Sequence, residues 1–182
     1  FVQNVGVFLN NADRNVITNN TIIHHSRVGI SLNGSASSNR VGGNRVYTNL
    51  SGGMKFTNGS VIGNSFVRNL FYGNGAVGMA LYAGGSNRFL NNVVYHLSNF
   101  GVLLSSGTGL SNIFVNNIIL SNGGTGVRNE VSGTRWQYNE VFGHTTQYDL
   151  PTAFAVSNGN ISSNPLFSNA DGGSFQLSGP SP

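Results

Sequence analysis

The feature that most constrains this chain is a period. Six times, at intervals near 24 residues, a glycine opens a short apolar segment: Gly6, Gly29, Gly53, Gly78, Gly101 and Gly126 begin GVFL, GISL, GMKF, GMAL, GVLL and GVRN. Roughly a dozen residues further on, Asn20, Asn44, Asn64, Asn92, Asn117 and Asn139 precede a second apolar pair, such as Ile22/Ile23, Phe66/Val67 or Val94/Tyr95. A fixed repeat of this length means one supersecondary unit that stacks on copies of itself and shares its core with its neighbours.

Within a repeat the apolar residues fall in three stretches of about three to five residues with period-two alternation, bounded by Gly, Asn or Ser. That pattern reads as short strands between turns. Leucine-rich repeats have a similar period but need a helical arm, and nothing here has the 3.6 periodicity of a helix. Propeller blades need about 40 residues each. What remains is an all-β solenoid, a parallel β-helix of about six coils with three short strands each. At about 4.8 Å per coil it would be a rod roughly 29 Å long.

Composition agrees with an ordered solenoid. Charged residues are only 8% of the chain and hydrophobic ones 38%, the opposite of the disordered signature. Gly, Asn and Ser fill the gap, and Asn is suited to turns because it tolerates left-handed backbone and bonds neighbouring amides. Asn15, Asn39, Gly59, Asn87 and Asn112 lie five residues before the first five asparagines, so two turn corners per coil are expected. There is no cysteine, so neither disulfides nor thiolate metal sites contribute, and no run approaches a membrane span.

Segments such as NRFLNNVVYHLSNFGVLLSS (Asn87 to Ser106) and SNIFVNNIILSNGGTGV (Ser111 to Val127) resemble the right-handed parallel β-helix repeat proteins, the pectate-lyase-like architecture of many secreted carbohydrate-active enzymes and surface proteins. The resemblance covers Gly6 to about Phe142. Asn164 to Pro182 looks like the closing segment of secreted bacterial members, with Asn164 where Asp is usual. The resemblance implies a right-handed coil, a secreted or cell-surface location and a polysaccharide partner. It does not imply an activity, because this superfold hosts several chemistries and purely structural proteins.

Residues 1–144 are accordingly expected to form the coils. Residues 145–182 are expected to form an irregular C-terminal cap of the same domain, covered by Phe154, Leu166, Phe167, Phe175 and Leu177. No equivalent cap precedes Val5, and the chain opens on Phe1, which reads as a fragment or processed form whose N-terminal coil is covered by further chain or a partner.

From ladder asparagine to the next glycine the interval is nine residues in four cases and fourteen between Asn64 and Gly78. Insertions in a solenoid emerge as loops, and loops commonly bind. This interval makes Arg68 to Ala76 the expected site. In that register Arg68 stacks between Thr48 and His96, with Tyr95 and Tyr47 one position earlier. An arginine that neutralises a uronate carboxylate and a Tyr or His base that removes the adjacent proton make a set suited to β-elimination. Arg68, His96 and Tyr95 are therefore the catalytic candidates. Tyr47, Phe71, Tyr72, Asn74, Arg40 and Arg88 are the ligand-binding ones.

Other chemistries find less support. The five acids, Asp13, Glu130, Glu140, Asp149 and Asp171, do not pair on adjacent coils of one face as glycoside hydrolysis requires, and no carboxylate cluster suggests calcium. Neither a metal nor a cofactor is expected. The net charge of +4 comes from nine dispersed cations, with no stripe for nucleic acid. Arg40, Arg88 and Arg135 recur at one outward position about 10 Å apart, either following an acidic glycan or discouraging aggregation. Lys55 and Arg128 share an outward position but are separated by two neutral coils. Five Asn-x-Ser/Thr sequons match chance among 28 asparagines. The sequence thus points to a polysaccharide-recognising domain of lyase-like type, with a structural or adhesive module as the alternative.

Overall fold

A computed structural model describes residues 4–105, 107, 109, 111–149 and 158–178. It is a parallel β-solenoid with three long parallel sheets and no helix among these residues. Sheet I stacks seven strands: Val7–Asn10, Val28–Asn33, Gly52–Phe56, Val77–Leu81, Phe100–Leu104, Thr125–Asn129 and Thr146–Asp149. Sheet II stacks the six strands from Val16–Thr18 to Arg135–Gln137, and sheet III the six from Thr21–Ile23 to Glu140–Phe142. Consecutive coils pair in register, as in Tyr47 with Tyr72 and Tyr72 with Tyr95.

The opening glycines form one column, and steric contact explains why. A Cβ on Gly78 would lie 2.3 Å from Val94 Cγ1 and 2.7 Å from the Gly101 carbonyl oxygen. Sheet I can approach the corner after sheet III this closely only without a side chain. The interior is an apolar column, with Ile30, Met54, Met79, Val102 and Val127 stacked from sheet I. From sheet II, Phe66, Phe89, Phe114 and Trp136 lie face to face, with centroids 5.0, 4.3 and 4.1 Å apart and planes within 12°.

Three corners per coil carry ladders, where two were expected. At each corner a residue of positive φ, such as Arg68 (56°) or His96 (54°), turns the chain and is followed by the ladder residue. The ladder between sheets I and II runs Asn15, Asn39, Asn64, Asn87 and Asn112, and ends on Thr134. The one between sheets II and III runs Asn20, Asn44, Asn69, Asn92, Asn117, Asn139 and Asn160. The third, between sheets III and I, holds His25, Asn49, Asn74, Leu97, Asn122 and His144. Inside the first two, an asparagine oxygen accepts the backbone N–H of its neighbour one coil back, as Asn92 does from Asn69, and its amide donates to an interior carbonyl, as Asn92 does to Phe66 O at 3.0 Å; at the end of the first, the Thr134 hydroxyl is buried without a partner.

This assignment corrects the register read from the sequence. Asn64 belongs to the first ladder, and Asn69 holds the place given to Asn64 in the second. From Asn69 to Gly78 the interval is the usual nine, so Arg68 to Ala76 holds no insertion. Leu70–Tyr72 is an ordinary strand of sheet III. The mistake has a physical source. Asn64 and Asn69 both follow a left-handed residue and both precede an apolar strand, so the local sequence of the two corners is the same.

The repeat also continues past residue 144. Thr146–Asp149 joins sheet I, Asn160 extends the second ladder, and Ile161 pairs with Glu140. The closing segment then forms an antiparallel hairpin, Phe167–Asn169 with Ser174–Leu177. Its Phe175 packs on the outer face of sheet III against Tyr72 and Tyr95, beside the coils instead of over their end, and Leu166 is exposed. Phe154 and the Leu177 side chain lie outside what is described. No described helix is long and apolar enough to cross a membrane.

Candidate functional site

The corrected register separates the expected catalytic set. Arg68 is exposed at the corner between sheets II and III. His96 stands at the corner after sheet III, with Gly73 and Ser121 as its ladder mates, so Arg68 is not its neighbour in the stack. Left-handed backbone at both is a property of every corner and carries no functional signal here.

Tyr95 and His96 do meet a third group. The hairpin delivers Asp171, whose Oδ1 accepts a hydrogen bond from the Tyr95 hydroxyl and lies 3.5 Å from His96 Nδ1. Burial first, and then the bond and charge of Asp171, push the Tyr95 phenol up to about 12. Tyr47, Tyr72 and Tyr95 align on successive coils. Tyr47 and Tyr72 stack at 4.6 Å, and Phe175 contacts the edges of Tyr72 and Tyr95 at 5.6 and 5.5 Å. Arg45 Nη2 donates to the Tyr72 hydroxyl at 3.4 Å, and that bond raises the guanidinium pKa further. His96 also borders a shallow hollow of about 500 Å³ with Gly73, Ser98 and Ser121.

Two expected binding residues face inward. Phe71 is fully buried in the core, and Asn74 donates its amide to Val46 O at 2.8 Å while accepting from Asn49. The nine-to-fourteen interval in the sequence puts both on a loop that the fold does not contain. Arg40 and Arg88 are exposed on sheet II, in the outward row that the sequence indicates.

A roomier concavity than that hollow lies elsewhere, along the outer face of the first three coils of sheet I. It is a trough of about 680 Å³. Its floor is Phe8, Ser31 and Lys55, which occupy one ladder position. One wall is Asn4, Arg27 and Ser51, and the other is Asn33 and Thr57. Phe8 is 56% exposed. The Asn33 amide donates to Asn10 at 3.1 Å, while its Oδ1 is buried without a partner. No carboxylate lines the trough. Lys55 Nζ rests 4.8 Å from the Tyr82 ring, whereas Arg128, five coils along from Phe8, pairs with Glu130 and Asp149 at 3.0 and 3.7 Å. Arg27 carries no signal in the sequence because a corner residue shows no alternation. Its position beside Ser51 follows only from the pairing of Val28 with Gly52. Among the described residues no group of three His, Asp or Glu side chains is placed to hold a metal.

A three-faced coil with an open trough and repeated outward rows defines a solenoid that presents a linear surface. The chain belongs to the right-handed β-helix region family, whose model matches residues 2–94. No curated protein matches the sequence. Among solved structures, the periplasmic alginate epimerase AlgG aligns with a TM-score of 0.66 at 16% identity over 82% of this chain and 41% of that one. A point mutant of the same epimerase gives 0.72 at 16%, over 82% and 40%. The likeness is therefore one of fold, and this chain spans about two fifths of the epimerase's length.

Proposed function

We propose that this chain is an acidic-polysaccharide-recognising β-helix domain of a secreted or cell-surface protein, with the sheet I trough as its binding site. The observation that carries this reading is the lining of the trough: two cations, no acid, an unpartnered amide oxygen and an exposed ring. Arg27 and Lys55 would take the sugar carboxylate through charge-assisted bonds. Asn33 Oδ1 would accept from a hydroxyl, and the Phe8 ring would meet an apolar sugar face. The epimerase neighbour, named for alginate, supports a carbohydrate polymer as the ligand class.

Calorimetry with polygalacturonate and alginate oligomers, against a neutral glucan, tests the reading. Binding of the acidic oligomers is expected, weakened about tenfold by Arg27→Ala or Lys55→Ala, the scale of one charge-assisted hydrogen bond. Silence on every acidic polymer would leave the alternative, a structural or adhesive rod.

A lyase-like step has support of its own in the pairing of His96 with Asp171 beside the hollow. Asp171 would orient the imidazole, which would remove the proton from the carbon bearing the carboxylate; the C–C double bond would form as the glycosidic C–O bond at the next carbon breaks, and the departing sugar oxygen would take up the proton. Tyr95, held protonated, is the poorer base. Ultraviolet absorption from unsaturated product on polyuronates is the readout. His96→Ala should abolish it and Arg68→Ala should not.

A further inference from the structure

Sheet II turns a second cationic surface to solvent. Its first outward row runs Val16, Arg40, Ser65, Arg88, Ile113 and Arg135, each pairing with the next. All three arginines are exposed. Every second coil thus carries a guanidinium, about 10 Å from the next because two strand spacings separate them. The parallel row two residues on is Thr18, Gly42, Val67, Leu90, Val115 and Gln137, a strip that is small or aliphatic between its two polar ends. None of the five acids lies on a sheet II strand. Arg135 Nη2 donates to Gln137 Oε1 at 2.9 Å, which fixes that guanidinium beside the strip.

We infer that this row is a track for an extended acidic polysaccharide, separate from the trough and matched to its repeat. A sugar unit is nearly as long as one strand spacing, and an extended two-fold glycan shows the same side of every second sugar. Its carboxylates on one face therefore recur every second coil, where Arg40, Arg88 and Arg135 stand. The aliphatic strip accepts the apolar sugar faces between them. Charge kept on a sheet face to discourage aggregation would have no reason to skip alternate coils. The inference rests on the polysaccharide reading but uses a different face of the rod.

The test measures binding of size-fractionated polygalacturonate to the intact chain and to three surface variants. Replacing all three arginines by serine (Arg40→Ser, Arg88→Ser, Arg135→Ser) should weaken chains of five or more sugars about tenfold, as the sum of three exposed ion pairs, and leave disaccharide binding unchanged. The trough variant Arg27→Ser with Lys55→Ser should weaken the disaccharide and leave the length-dependent gain of the longer chains in place. The decisive variant, Ser65→Arg with Arg88→Ser, keeps the charge but puts one guanidinium out of phase with Arg40 and Arg135, and it should bind long chains about twofold more weakly than the parent, as Arg88→Ser alone would. Wild-type affinity in the spacing variant would overturn the periodic match, and wild-type affinity in the triple variant would overturn the track with the polysaccharide reading intact. No binding of any polyuronate to the unaltered chain would overturn both.

Discussion

Asn92 Oδ1 accepts two hydrogen bonds from Asn69, one from its backbone N–H at 2.9 Å and one from its side-chain amide at 3.0 Å. Asn92 in turn gives its own N–H and amide to Asn117. Each ladder residue thus satisfies buried groups of the coil before it and is satisfied by the coil after it. Asn92→Ala strands the Asn69 N–H and the Phe66 carbonyl, at about 1–3 kcal/mol for each buried orphan. Chemical denaturation should show a loss of about 2–5 kcal/mol, far beyond that for the exposed Asn91→Ala.

The aromatic column makes a second prediction. Phe114 lies between Phe89 and Trp136 at 4.3 and 4.1 Å and is 1% exposed. Phe114→Ala removes both contacts and leaves a cavity that parallel strands on either side cannot close, so a cost of about 3–5 kcal/mol is expected. Phe114→Leu should recover part of it. A Phe114→Leu variant as stable as the parent would show that the stacked rings add nothing beyond filled volume.

Glu140 gives stability a dependence on pH. Burial raises its pKa, and its Oε1 is buried without a partner. Between the ordinary carboxylate value and the raised one the folded state binds more protons than the unfolded, so stability falls as pH rises through that window. Glu140→Gln should therefore raise the unfolding midpoint at neutral pH and flatten its slope with pH. A variant less stable than the parent at neutral pH would sink this account.

The hairpin clasp can be read through Tyr95. Removing the charge in Asp171→Asn should lower the Tyr95 phenol from about 12, seen as an earlier onset in the alkaline ultraviolet titration. Burial, the first cause, remains. Phe175→Ala, which removes the wedge against Tyr72 and Tyr95, should lower that titration further and speed proteolytic release of the hairpin.

The sequence by itself determined the solenoid, its three strands per coil, the glycine column and the outward arginine row. These depend on periodicity, and a repeated pattern forces equivalent residues into one column whichever corner is chosen as origin. It did not determine which asparagine belonged to which ladder. Asn64 and Asn69 satisfy the same local rule, and only the hydrogen bonds from Asn39 and Asn44 separate them. Once that register shifts by five residues, Arg68 leaves His96, and Phe71 turns into the core. Asp171, 76 residues from Tyr95, and Arg27, at a corner without alternation, were beyond any local signal. Their places are set by long-range packing, the aromatic wedge of Phe175 in one case and the pairing of successive coils in the other. The tertiary structure alone decided where charge and concavity coincide.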